Sequence, residues 1–346
     1  MPTGAQLFVR TLGQLGIDRI FTLVGDHLND VLVEVAHAGI RIVDMRHESA
    51  VVHAADTLAR ATRKPALTLV TGGPGHTNSL TGIATAYLNC SPVIAVSGSL
   101  ATSSADRGAF QDIEQVEMAR PVVKWAAKPP NAAQIPFYLG RACNEAISGR
   151  MGPVHLTIPV DVLAAQTEQC SSVPQPFTSR APLPDDEDII QANAALQSAR
   201  HPVIIAGSGV WWANACDELR EFAELTSLPV YTITLGKGTI SDEHPRCLGY
   251  ADPALNKAVH KAFKEADLFL VLGKRIDYRL SLGGPRLFNP AARFIQVDIH
   301  PQELGLNRKL ELGICADVKV TLRALIDNAK SMSWTPLAWL DRLRGW

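Results

Sequence analysis

At 346 residues, 47% hydrophobic and with a formal net charge of −1, the chain is long enough for two domains of ordinary size and rich enough in apolar residues to cover sheets on both faces. The balanced charge gives no basic field for nucleic acid and no acidic tail, which leaves a small molecule as the default ligand. The six cysteines (Cys90, Cys143, Cys170, Cys216, Cys247 and Cys315) are dispersed without a CxxC pair, and the start MPTGAQLFVR lacks a charged-then-apolar leader, so a reduced, cytoplasmic protein with no zinc site, disulfide framework or membrane span is expected.

Thr3 is placed to cap a helix in which Leu7, Phe8, Leu12 and Leu15 recur at helical spacing until Gly16. Arg19 to Val24 reads as a buried strand ending in Gly25-Asp26-His27. Imidazole titrates near neutrality and a carboxylate can orient it, so this turn is a candidate proton relay. Asp26 is equally suited to cap the helix predicted over Leu28 to Ala38.

A short apolar strand (Ile40, Ile42, Val43) then leads through Asp44 to Glu48 and an alanine-rich helix. Strand Leu67 to Val70 follows, and the turn Gly73-Pro74-Gly75 opens another helix. In an open parallel sheet, ligands sit outside the carboxyl ends of the strands, which puts Glu48 and the turn on one rim. Both glycines permit close backbone approach to a planar ligand, and the turn's N–H groups lie at a helix start.

Helix Ser79 to Leu88 and strand Pro92 to Val96 precede a polar loop, Ser99 to Gly108, that is too long to be a mere connection. Helix Ala132 to Ile147 and strand Val154 to Ile158 close a first domain over 1–165. Residues 166–186 hold Pro, Ser, Thr and Gln with little periodicity and read as a linker. A second domain over 187–330 runs through helix Ile189 to Ala199, strand Val203 to Ala206, Gly207-Ser208-Gly209 and helix Trp211 to Leu225. Strands Pro229 to Ile233, Leu268 to Leu272 and Phe294 to Ile299 and helix Val318 to Ala329 complete it. Strands alternate with helices throughout, so the fold class is α/β, with two doubly wound parallel-sheet domains. The Gly-Ser-Gly element lacks the third glycine and the downstream acid of a dinucleotide fingerprint, and serves either as a tight βα turn or as a nucleotide cradle.

Arg46-His47-Glu48, Ala54-Ala55-Asp56, Ala59-Arg60-Ala61 and the run Thr71 to Asn78 resemble the pyrimidine-binding domain of thiamine-diphosphate enzymes of the acetolactate synthase and benzaldehyde lyase group. The resemblance implies that Glu48 hydrogen-bonds N1′ of the cofactor's aminopyrimidine and that Gly73, Pro74 and Gly75 lie against the same ring, with Gly25 and Asn78 also in the cofactor site. A partly desolvated carboxylate there shares a proton with N1′, which favours the imino tautomer able to deprotonate the thiazolium carbon. Pyruvate decarboxylases carry an acid at the position of Asp26, and benzaldehyde lyase a histidine at that of His27. Ala109-Phe110-Gln111 is similar to the family's Phe-Gln element, which makes Gln111 a neutral donor to substrate oxygen. Gln115-Val116, Lys124-Trp125, Gly152-Pro153-Val154 and Ile158 to Val162 fit the same pattern.

In the second domain, Gly273 to Arg279 resembles the segment by which acetolactate synthases hold FAD, and Val297 to Pro301 resembles the strand end that follows. Gly207, Gly209, Arg275 and Asp298 are therefore the candidate nucleotide-binding residues, for FAD, for another nucleotide such as ADP, or for none. Tyr278 and Gly249-Tyr250-Ala251-Asp252 depart from the flavin pattern. The family's third domain carries a Gly-Asp-Gly motif and an asparagine that hold Mg2+ on the diphosphate. No Gly-Asp-Gly occurs here, so no metal ligand is assigned to this chain. Residues 331–346, with Trp334, Trp339 and Trp346, read as the start of a linker to such a domain, supplied by a missing segment or by another chain of a homo- or hetero-oligomer. The implied activity is C–C cleavage or ligation of 2-oxo acids or acyloins. The alternative is a non-catalytic nucleotide-binding or assembly subunit in which Gly207, Gly209 and Arg275 matter more than Glu48.

Overall fold

The computed structural model describes residues 1–174, 181–334 and 338–346. It divides into two compact units, Met1–Ser179 and Arg180–Trp346. Each unit holds one six-stranded sheet whose ladders are all parallel.

The first unit begins with α1 (Gly4–Gln14), fixed by a reciprocal cap: Thr3 Oγ1 accepts from the Gln6 N–H, and Gln6 Oε1 accepts from the Thr3 N–H. Its strands are β1 (Arg19–Thr22), β2 (Arg41–Asp44), β3 (Ala66–Val70), β4 (Val93–Ser99), β5 (Ala126–Ala127) and β6 (Val154–Pro159). Helices α2 (Asn29–His37), α3 (Glu48–Thr62), α4 (Pro74–Asn89), α5 (Gln115–Ala119), α6 (Ile135–Ile147) and α7 (Val160–Ala164) surround them. Because side chains alternate across a strand, Leu67, Leu69, Ile94 and Val96 join Phe8, Leu12 and Leu139 in one core. Val70, Val93 and Ala95 join Val51, Val52 and Ile83 on the other face. Burial on both faces is what makes these strands continuous apolar runs.

The strand order is β2-β1-β3-β4-β6-β5. Connectivity reverses between β1 and β3, so the crevice beyond their carboxyl ends is the switch point where such sheets take ligands. Gly25 follows one of these strands and Thr71 the other. The strand expected to reach Val24 stops at Thr22, and the chain passes through a 3-10 turn, Asp26–Leu28, before α2 begins. No side chain caps α2, so Asp26 does not take the capping role. The apolar strand expected from Ile40, Ile42 and Val43 is β2, which forms the sheet edge with Ile42 39% exposed; among the described residues only β1 pairs with it. Helix α4 starts at Pro74 rather than near Ser79, since proline's fixed φ suits the first helical position.

The second unit comprises α8 (Asp186–Ser198), β7 (Pro202–Ala206), α9 (Ser208–Trp212), α10 (Cys216–Thr226), β8 (Val230–Thr232), β9 (Cys247–Tyr250) and α11 (Ala258–Glu265). It continues with β10 (Leu268–Leu272), β11 (Arg293–Asp298), β12 (Leu312–Cys315), α12 (Val318–Ala329) and α13 (Ala338–Arg344). The order β12-β11-β10-β7-β8-β9 puts its switch point between β7 and β10. The helix expected over Trp211 to Leu225 is two helices, broken where Asn214 takes a φ of +54°. In the stretch expected as a linker, Gln166 bridges to Thr3 and the Ser171 N–H donates to the Ala133 carbonyl; residues 175–180 of that stretch lie outside the described residues. In 331–346, where 335–337 also lie outside them, Trp339 is buried and its Nε1 donates to the Pro202 carbonyl at 3.2 Å. Among the described residues no helix is long and apolar enough to cross a membrane, and no cluster of His, Cys, Asp and Glu could hold a metal ion.

Candidate active site

Four chain segments meet above β1, β3 and β4. Glu48 opens α3 with only 9% of its surface exposed, and the helix dipole favours an anion there. Asn78, on α4, donates from Nδ2 to Glu48 Oε2 at 3.0 Å. The other oxygen, Oε1, lies 3.5 Å from where a Cβ on Gly75 would stand, and Thr71 Cγ2 lies 2.7 Å from the same point. Thus glycine is needed at 75 to let the turn close on Thr71, and that closure brings the carboxylate against the Gly-Pro-Gly turn. Gly73 has a φ of +59°, and a Cβ there would stand 2.6 Å from Gln111 Cβ.

Gln111 itself has a φ of +63°, a left-handed conformation that costs a non-glycine residue stability. Its Oε1 is buried without a hydrogen-bond partner among the described residues, which is unusual for a polar atom unless something else occupies it. Neighbouring Phe110 is 70% exposed and stacks on His27, with ring centroids 6.5 Å apart.

His27 is buried. Its Nδ1 lies 2.8 Å from Thr71 Oγ1 and accepts from the Gly72 N–H at 3.2 Å. A backbone N–H can only donate, so Nδ1 is unprotonated and the neutral ring carries its proton on Nε2. Burial lowers the imidazole's pKa, and the charge of exposed Asp26 opposes this. A Cβ on Gly25 would stand 2.4 Å from Thr71 Cβ; this glycine permits the β1 and β3 turns to touch.

The residue that sequence reasoning did not single out is Gln115, 3% exposed at the start of α5. Its Oε1 accepts from the Gly73 N–H at 2.9 Å, and its Nε2 donates to the Gly98 carbonyl at 3.1 Å and to Thr157 Oγ1 at 3.3 Å. Its partners come from β3, β4 and β6 and their turns, so no local spacing announces it. Behind it, Thr157 Oγ1 lies 2.9 Å from His155 Nε2. The His155 ring sits 4.5 Å from that of His76, whose Nδ1 is 3.0 Å from Ser97 Oγ. Burial pushes the His76 imidazole down to about 4, with the Gln115 backbone carbonyl opposing. Burial, and then the neighbouring His76, hold His155 well below its ordinary range. Both rings are therefore neutral near pH 7.

In the second unit, Gly207, Gly209, Arg275 and Asp298 gather at the carboxyl ends of β7, β10 and β11. The Gly209 N–H donates to the Gly273 carbonyl at 2.9 Å. A Cβ on Gly207 would stand 2.5 Å from the Gly273 oxygen, and one on Gly209 2.5 Å from Gly273 Cα. The backbone of the β10 turn thus fills the space these glycines leave. Lys274 is buried and paired with Asp277; burial lowers its pKa and Asp277 opposes. Asp298 Oδ1 accepts from the His300 N–H at 3.0 Å.

The family model described as "Thiamine pyrophosphate enzyme, N-terminal TPP binding domain" matches residues 2–118, and that described as "Thiamine pyrophosphate enzyme, central domain" matches residues 189–325. The chain is 34% identical over 349 residues to a probable acetolactate synthase large subunit of Methanocaldococcus jannaschii, covering 98% of this chain and 58% of the relative. It is 31% identical over 352 residues to oxalyl-CoA decarboxylase of Escherichia coli, covering 99% and 61%. It is 29% identical over 340 residues to human 2-hydroxyacyl-CoA lyase 1, covering 96% and 57%. The chain therefore spans between 57% and 61% of these relatives' lengths. With a switch-point crevice built around a buried carboxylate and a Gly-Pro-Gly turn, and with both family models matched in order, the chain belongs to the thiamine pyrophosphate enzyme family.

Proposed function

We propose that this chain supplies the pyrimidine-binding and central domains of a thiamine-diphosphate-dependent C–C lyase or carboligase, similar to acetolactate synthase, acting on 2-oxo acids or acyloins. The observation that carries the reading is the placement of Glu48, buried at a helix start and held by Asn78 against the Gly73-Pro74-Gly75 turn. Two relatives whose names specify lyase and decarboxylase chemistry next to a carbonyl support the reaction class.

When bound, the cofactor supplies a nucleophilic carbon that adds to a substrate carbonyl. Glu48 holds the proton that the aminopyrimidine shares, with Asn78 fixing the carboxylate's other oxygen. The Gly-Pro-Gly backbone offers a face to a planar ring. His27 presents Nε2–H as a neutral donor, Asp26 biases its charge, and Gln111 meets substrate oxygen without a protonation cost. Mg2+ and the diphosphate are held by groups of another segment or another chain, and the working assembly is a cytoplasmic homo- or hetero-oligomer. In the central domain, Arg275 and Asp298 are the residues to hold FAD or ADP, beside the turn that Gly207 and Gly209 close.

The test is turnover of a 2-oxo acid by the complete enzyme carrying E48Q, with calorimetric titration of thiamine diphosphate and Mg2+ beside it. Loss of a positioned proton relay lowers turnover roughly 10²–10⁴-fold. Unchanged turnover removes Glu48 from the chemistry. A protein that binds a nucleotide but no thiamine diphosphate is an assembly or nucleotide-binding subunit instead.

A further inference from the structure

We propose that Gln115 is the positioning residue that fixes the Gly72–Gly73 peptide for the cofactor ring, through a buried strut running from the turn to β4 and β6. The proposal rests on the reading that this turn faces the aminopyrimidine.

The argument starts from what the turn lacks. Gly73 is the N-cap of α4 and has a φ of +59°, with no side chain of its own to cap the helix. A glycine in that conformation has wide backbone freedom, so a turn meant to hold a flat ring in one pose needs its N–H groups restrained from outside. Two side chains supply the restraint. His27 Nδ1 takes the Gly72 N–H, and Gln115 Oε1 takes the Gly73 N–H.

Gln115 is the residue of the two whose far end is also tied down. Its amide nitrogen is held by the Gly98 carbonyl on β4 and by Thr157 Oγ1 on β6. The three bonds fix the amide's orientation: one oxygen facing a donor, one nitrogen facing two acceptors, with no room for a flip. Gln115 sits just 3% exposed and its side-chain hydrogen bonds go to Gly73, Gly98 and Thr157, so its role is geometric. The same short helix follows Gln111, which presses on Gly73 from the open side. One connecting segment therefore meets the turn twice, through the Gln115 hydrogen bond and through the Gln111 contact.

Three variants of the complete enzyme, with the segment or chain that holds the diphosphate present, test this, with the amide exchange of Gly73 measured by NMR and thiamine diphosphate affinity measured calorimetrically with Mg2+. Q115M keeps the volume and removes every hydrogen bond. It is expected to speed Gly73 exchange and to weaken cofactor binding roughly 10-fold, as for a buried donor left unpaired. Q115E, whose buried carboxyl takes up a proton, keeps an acceptor for Gly73 and a donor for Gly98, and is expected to stay within about 3-fold of wild type. T157V removes one of the two acceptors of the Gln115 amide, and with it the partner of His155 Nε2, while the Gly73 and Gly98 bonds stay; it is expected to leave both readouts near wild type. Should Q115M not fold, Q115N, whose side chain is too short to hold Gly73 and Gly98 together, carries the same expectation against Q115E. The proposal is overturned if T157V weakens binding as much as Q115M does, which marks a general loosening of the core, or if Gly73 exchange rises with no change in affinity. Wild-type complete enzyme that fails to bind thiamine diphosphate, with Gly73 still protected by Gln115, overturns the functional reading and the proposal with it. That outcome is recognised by its unaltered exchange pattern.

Discussion

Glu48 and Asn78 join two helices whose first turns converge on one crevice: the amide of Asn78 on α4 donates at 3.0 Å to the carboxylate that opens α3. The bond leaves one carboxylate oxygen engaged and turns the other, Oε1, toward the Gly-Pro-Gly turn. N78A removes the side-chain hydrogen-bond donor of a nearly buried anion. We expect a stability loss of about 1.5–3 kcal/mol, as for hydrogen bonds to charged groups, read by urea denaturation. N78D places a second carboxylate beside the first and is expected to cost more, with weaker thiamine diphosphate binding in calorimetry.

Gln111 carries a left-handed backbone where glycine is the natural occupant. Strain of this kind persists where a side chain is needed in one place. Q111G is therefore expected to leave the fold as stable as wild type or up to about 1 kcal/mol more stable, while turnover falls. Parallel denaturation and turnover measurements check it, and a fall in both together assigns Gln111 a packing role only.

His76 and His155 give the first unit an acid-sensitive core. His76 is depressed from 6.5 to about 4 in the fold, and burial holds His155 well below its ordinary range as well. Between these values the unfolded chain binds more protons than the folded one, so stability is full above about pH 6.5 and falls as pH drops toward 4. For His76 alone the loss is roughly 3 kcal/mol across that window. The two rings face each other and Ser97, Thr157 and the Gln115 backbone carbonyl, with no carboxylate among these contacts to rescue the charged form. H76Q is expected to flatten the slope of unfolding free energy between pH 4.5 and 7. An unchanged slope assigns the acid sensitivity elsewhere.

How much of this was legible in the sequence follows from where each signal lies along the chain. Leu67 to Val70 and Leu268 to Leu272 are buried on both faces, and such strands announce themselves as unbroken apolar runs. The edge strands β9 and β12 are only partly buried, carry no such pattern, and were not foreseen. Glu48 and the Gly73-Pro74-Gly75 turn could be put on one rim because both directly follow parallel strands, and the topology of such sheets dictates the rest. Gln115 could not, because its partners Gly73, Gly98 and Thr157 are brought to it by the sheet order alone. The burial of His76 and His155 was hidden for the same reason.

Gly209 offers a test of what the second unit's glycines are for. Its N–H is bonded to the Gly273 carbonyl, and a Cβ would stand 2.5 Å from Gly273 Cα. Backbone cannot retreat as a flexible side chain can, so G209A must push apart the turns following β7 and β10. We expect a loss of about 1–3 kcal/mol from overpacking, measured by denaturation of the full chain without any nucleotide present. If instead G209A is neutral in stability and lowers the affinity for FAD or ADP, the glycine serves ligand approach. The two roles separate because steric overlap with Gly273 is present whether or not a nucleotide is bound, whereas a cradle for phosphate reports only when its ligand is added.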